Sequence, residues 1–214
     1  MKRAVVLVAC CLLAAGCGGS KKPSDPGRQA VDELVAAAKA HDAAAIWSHV
    51  TKATQQRLGK AETAALVERL LGPFAGGGYR TVVSQLVTER YGVVAISTSA
   101  AIAAIPLAKE HGDLHAELGT KLRIEPSGPQ PKVHTEHVPP QVAVEIKGGS
   151  GEPTAVLYLD GETLYPKTYG TGAAATVYAN LDQDFAPGRH TVVAFVATPL
   201  AAAATAWAFT IAER

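Results

Sequence analysis

The chain has 214 residues, with 20 Lys and Arg against 19 Asp and Glu, a formal net charge of +1, and three cysteines. This balance leaves no basic stripe to neutralise phosphates, so nucleic acid is excluded as an expected partner. The length suits one or two domains, and a 48% hydrophobic content is enough to build packed cores.

The first element is a leader. Lys2 and Arg3 precede an apolar run from Ala4 to Ala15, too short to span a bilayer as a helix, which takes about 20 apolar residues, but suited to a secretory h-region. Ala14, Ala15 and Gly16 then lead into Cys17. This arrangement resembles a bacterial lipoprotein signal, with Ala14 where a Leu is usual. Leu7-Val8-Ala9-Cys10 has the same form but leaves only a few residues of h-region, so Cys17 is preferred. The plain alternative is an ordinary cleaved secretion signal with an incidental cysteine. The resemblance implies a signal peptide over 1–16, a diacylglyceryl thioether on Cys17, and a flexible tether over 17–25. A diacyl group suffices for stable membrane residence. Loss of 1–16 removes two cations, which leaves 18 against 19 acids, and removes Cys10 and Cys11. With Cys17 carrying lipid, no disulfide and no Cys nucleophile remain.

Helices come next. Asp25 is a candidate cap with Pro26 at the first helical position, and Val31, Leu34, Val35 and Ala38 recur at helical spacing. Asp42 opens a second helix bearing Ile46, Trp47 and Val50, and Thr51 or Thr54 caps a further turn. A third helix carries Leu66, Val67, Leu70 and Leu71 and stops at Gly72-Pro73. The runs "YRTVVSQLV", "YGVVAIST", "AIAAIPLAKE" and "LHAELGTKLRIEP" then predict strands, with Gly112 in a tight hairpin between the last two. Three helices before a meandering sheet predict an α+β layer over 26–125. The element order, with "AAAIWSHVTKATQQRL" and "AIPLAKEHGDLHAEL", resembles the NTF2-like (SnoaL-like) domain. That resemblance implies a cone: three N-terminal helices on a curved antiparallel sheet.

Five prolines fall between Glu125 and Pro140, which predicts a Pro-rich linker over 126–140. Beyond it, "VAVEI", "TAVLYLDGETLY", "ATVYANL", "RHTVVAFVAT" and "TAWAFTIAE" are short strand candidates, and Asp160-Gly161 is a hairpin signal. "DFAPGRHTVVAF" resembles the E–F corner of immunoglobulin-like and fibronectin-type sandwiches, with His190 at the place of the corner tyrosine. An all-β Ig-like sandwich of about seven strands is therefore expected over 141–214.

Chemical signals are sparse. His111, His115, His134, His137 and Glu136 are metal-ligand types, but Gly112 breaks any helix that would align the first two and the other pair lies in the linker; no metal and no cofactor are expected. Gly170-x-Gly172-x-x-Ala175 lacks the following helix of a dinucleotide site. Gly148 to Glu152 lacks the second Gly of a nucleophile elbow. Enzymes of the NTF2-like family use an inward carboxylate, yet Glu89, Glu110 and Asp113 fall at turns and Glu117 alternates away from the apolar side. No catalytic residue is assigned. Trp47, Tyr79 and Tyr91 are the candidate pocket-lining residues. The expected function is a non-enzymatic binding or assembly role at the cell envelope. It places the protein lipid-anchored on the extracytoplasmic face of the cell membrane, in contact with the membrane through its lipid and with an envelope protein as partner. The alternative is a small-molecule-binding or isomerase-like protein using the cone.

Overall fold

The computed structural model describes residues 25–171, 174–182 and 185–213. The expected signal peptide, Cys17 and all but the last residue of the expected tether lie outside the described residues.

Four α-helices open the fold: α1 (Pro26–Lys39), α2 (Ala43–Ser48), α3 (Lys52–Arg57) and α4 (Lys60–Leu71). Side-chain caps set their starts. Asp25 Oδ1 accepts the Arg28 N–H at 3.1 Å, Asp42 Oδ1 accepts the Ala44 and Ala45 N–H groups at 2.9 and 3.0 Å, and Thr51 Oγ1 accepts the Thr54 N–H at 3.0 Å. The two backbone amides that hold Asp42 also depress its pKa, since they stabilise the ionised carboxylate.

Among the described residues thirteen strands follow. β1 (Arg80–Leu86), β2 (Tyr91–Ser97), β3 (Ile102–Glu110) and β4 (Asp113–Ala116) form an antiparallel meander in that order. β5 (Arg123–Gly128), β7 (Gln141–Lys147), β10 (Lys167–Thr171) and β11 (Ala174–Asn180) make a second sheet, ordered β10-β11-β7-β5. β6 (His134–Thr135), β8 (Thr154–Leu159), β9 (Glu162–Leu164), β12 (Gly188–Ala197) and β13 (Ala202–Ile211) make the third, ordered β6-β13-β12-β8-β9.

Three separate cores stack these elements into four layers. Val94, Ile96, Ile105 and Leu107 face the helices and meet Leu34, Ile46, Val67 and Leu71. The opposite face of the same sheet, with Tyr91, Val93 and Ala95, packs on Tyr158, Val193 and Phe195 of the five-stranded sheet. That sheet's other face, with Val192, Trp207 and Phe209, packs on Val142, Val144 and Val177 of the remaining sheet. β2 is consequently buried along its whole length, and its apolar run has no solvent face to alternate with.

This arrangement corrects the expected fold class. Among the described residues the protein is mostly β, with 45% strand against 22% helical, four α-helices and three sheets, not an NTF2-like cone under three helices. The physical reason is the second face of the first sheet, which carries buried aliphatics and is closed by a neighbouring sheet. The Ig-like sandwich over 141–214 is corrected with it. Both of its sheets recruit upstream strands: β5 pairs with β7, and β6 pairs in parallel with β13. Residues 126–140 thus contribute the end of β5 and all of β6. Pro126 is accommodated because β5 is an edge strand, where a missing N–H costs no ladder bond, and the register shifts between Pro126 and Gly128.

Candidate functional site

α1 meets the first sheet at its opening turn. Asp25 Oδ1 accepts the Ser84 hydroxyl at 2.8 Å while capping the helix, so one oxygen both starts α1 and ties it to β1. Gly27 permits the approach: a Cβ there would lie 3.0 Å from Ser84 Oγ and 3.1 Å from Val94 Cγ2. Below this turn, Leu86, Gly92 and Leu107 form one cross-strand row, and Lys109 and Leu114 form the next pair on that same face. Gly92 leaves the row without a side chain at its centre, and a Cβ at this position would strike the Gln85 carbonyl at 2.6 Å.

The result is a cavity of about 310 Å³ between α1 and the ends of β1 to β4. Pro26, Leu86, Val94, Leu107 and Leu114 give it an apolar wall. Its charged lining residues are Asp25 and Lys109. Asp25 is committed to Ser84 and to the helix cap. Lys109 is exposed and makes no side-chain hydrogen bond or ion pair with the described residues. A second cleft of about 290 Å³ shares Pro26, Gly112 and Leu114, and is lined further on by Glu33, His49 and His115.

The candidate pocket residues of the sequence lie elsewhere. Trp47 is half-buried on α2, and its carbonyl accepts Gln55 Nε2 at 2.7 Å. Tyr79 packs edge-on against Phe74 and donates its hydroxyl to Asp32 Oδ1 at 2.8 Å. Burial first, and then the Asp32 carboxylate, push its pKa up to about 12. Tyr91 belongs to the core between the first sheet and the five-stranded sheet, with the Arg90 guanidinium 4.9 Å from its ring centroid; burial raises its pKa. It lines a separate cleft of about 380 Å³ with Arg90 and Glu152. Cys17 lies outside the described residues.

Glu117 is buried rather than presented to solvent. Its carboxylate accepts the Thr51 hydroxyl at 2.8 Å and pairs with Arg57 Nη2 at 2.5 Å, while Arg57 also donates to the Leu118 carbonyl at 2.9 Å. This node fastens α3 to the segment after β4, and its carboxylate is occupied by structural partners. Among the described residues no three His, Cys, Asp or Glu side chains converge as a metal site. His111 faces Lys52 Nζ at 3.4 Å, and His134 sits in β6.

The residues that build the cavity carry no motif. Their sequence signals are indirect: Gly92 interrupts a strand run, which marks a close backbone approach, and Lys109 continues the apolar alternation of β3 with a cation. No family model matches the chain, and no curated protein matches it.

Proposed function

We propose that the protein is a lipid-anchored, extracytoplasmic binding protein of the cell envelope, non-enzymatic, held to the membrane through Cys17. The observation that carries the reading is the apolar cavity beside Asp25 and Pro26, where the tether joins the folded body. A concave site with an apolar wall and few polar groups is the ordinary form of a small-ligand site. The tether reaches at most about 3.3–3.6 Å per residue, so a ligand drawn from the bilayer surface travels a short way to the mouth. The test has two readouts. Cys17→Ser moves the protein from the membrane fraction to the soluble fraction, and native mass spectrometry of the protein purified from its own envelope shows a co-purifying small molecule. Retention of the serine variant in the membrane, or a bare protein mass, sinks the corresponding half of the reading.

A second reading has its own observation. Among the described residues β10 is exposed along its whole length at the edge of its sheet; it carries Tyr169, 80% exposed, and Tyr165 just before it is 91% exposed. An open edge with aromatic neighbours suits strand addition by an envelope protein. A photocrosslinker in place of Tyr169 would then trap one protein partner in intact cells, and a Lys167→Pro variant would abolish the adduct. An adduct unaffected by that proline would count against strand pairing.

A further inference from the structure

We infer that the cavity under α1 takes one acyl chain with an anionic headgroup, the chain lying over Leu86 and Leu114 and the headgroup meeting Lys109. This rests on the binding reading above and adds the ligand class. The wall selects an apolar tail: Leu86, Val94, Leu107 and Leu114 offer no polar side chain to a ligand inside. The volume, about 310 Å³, lies at the small end of ligand pockets, which span about 300–1,000 Å³, and it has room for one chain rather than two.

The charge at the mouth selects the headgroup. Lys109 stands directly opposite Leu114 across the β3–β4 hairpin, on the helix-facing side, so its stem extends the apolar wall while its ammonium reaches water. Asp25, the other charged lining group, has its capping oxygen filled by Ser84 and Arg28 N–H. The hairpin rim leaves space for a headgroup, since a Cβ on Gly112 would meet nothing within 4 Å. A carboxylate or phosphate there gains a charge-assisted hydrogen bond that a neutral ester or alcohol cannot make.

The experiment uses the mature chain with Cys17→Ser and cis-parinaric acid, a fluorescent polyene fatty acid, with its methyl ester as the uncharged control. The expected result is saturable one-to-one binding of the acid, with the ester weaker by about tenfold, the scale of one charge-assisted bond. Lys109→Glu brings the acid down to the level of the ester or below it, since the new carboxylate repels the headgroup, and Leu114→Trp, which fills the cavity, removes both. Lys109→Glu alters an exposed side chain, so it tests the headgroup contact even where Leu114→Trp disturbs folding. Displacement by oleate against displacement by a lysophospholipid separates a free fatty acid from a phosphate-headed lipid as the source. Equal binding of acid and ester, unchanged by Lys109→Glu, overturns the headgroup inference and leaves the binding reading standing. No saturable binding of either probe overturns the acyl-chain inference as a whole, while a co-purifying small molecule of another class would keep the binding reading standing.

Discussion

His190 Nδ1 lies 2.7 Å from Asp160 Oδ2, and this contact joins a hairpin turn to the strand that runs through the middle of the five-stranded sheet. The other oxygen of Asp160 accepts the Thr191 N–H at 2.7 Å, and His190 Nε2 lies 2.8 Å from the Ala186 carbonyl. One carboxylate therefore ties the β8–β9 turn to the start of β12, while the ring anchors the loop before it. Asp160 has φ of +54°, a conformation that Asn tolerates as well as Asp. Asp160→Asn thus keeps the turn but replaces one carboxylate oxygen by an NH2 group, so either the Thr191 N–H or His190 Nδ1 loses its charged partner. The expected cost is about 1–2 kcal/mol, the scale of a buried donor left without its partner, read from urea unfolding. An unchanged midpoint would show that the clamp contributes nothing.

The two classes of ion pair in this protein give opposite expectations. Glu117 is only 3% exposed, and Arg57 is its charged partner. Arg57→Ala leaves a buried carboxylate unpaired; with Arg57 itself 30% exposed, water reaches part of the site and the expected loss falls to about 2–3 kcal/mol from the larger figure typical of sealed pairs. Lys147 sits between Glu125 and Glu145 in the open, and those two carboxylates raise its pKa. Lys147→Ala should leave the unfolding midpoint unmoved, because exposed pairs are screened by water and salt. If the two variants cost the same, burial is not what separates them.

Alkaline pH should weaken the fold through its buried phenols, Tyr158 and Tyr79 foremost and Tyr91 in the same direction. Burial pushes the Tyr158 pKa up to about 12, and burial with the neighbouring Asp32 does the same for Tyr79. The unfolded chain releases these protons near the ordinary value of about 10. A raised folded-state pKa contributes stability that is fully present below about pH 10 and is lost as pH rises through about 12. Denaturant midpoints should therefore fall across this window. Phenolate absorbance of the folded protein should show a late-titrating fraction that shrinks in Tyr158→Phe. Complete titration by about pH 10.5 in the folded state would contradict the burial of both rings.

Helix starts and stops were readable because their signals are local, but the number of helices was not: α3 is a helix of its own where the sequence suggests only a further turn. Asp25, Pro26, Asp42 and the Gly72-Pro73 stop act within a turn of where they stand, and Asp160-Gly161 and Gly112 mark their hairpins by the positive φ they adopt. The stacking was not readable. "YGVVAIS" and "HTVVAFVA" announce strands buried on both faces, but nothing in either run names the sheet that covers it. The resemblance to a cone supplied a wrong answer for β2, whose second face meets Phe195, about a hundred residues further along. Alternation turns Glu117 away from the apolar side but does not say what it meets there: β4 ends at Ala116, and the next side chain is buried against Arg57. Lys109 stayed silent for a related reason: a lysine at the end of a strand is ordinary until the cavity beside it is seen.

The seam between the first sheet and the five-stranded sheet decides whether the molecule behaves as one folding unit. Phe195 is fully buried in that seam with Val193 and Tyr158 on its own sheet and Tyr91 and Val93 across from it. Tyr158 adds a hydrogen bond across the seam to Gln85 Oε1 at 2.8 Å. Because β2 also carries the helix-facing core on its other side, loss of packing at Phe195 is transmitted to both neighbouring layers through rigid strands. Phe195→Ala should cost about 3–5 kcal/mol and lower the melting temperature of a single calorimetric transition. Trp47 on α2 and Trp207 on β13 report opposite ends of the stack, so their environments should be lost together in the wild type and in the variant. Two separated transitions, with the change at Trp207 preceding that at Trp47 by several degrees, would mean that the helical layer and the sandwich fold independently and that the seam only docks them.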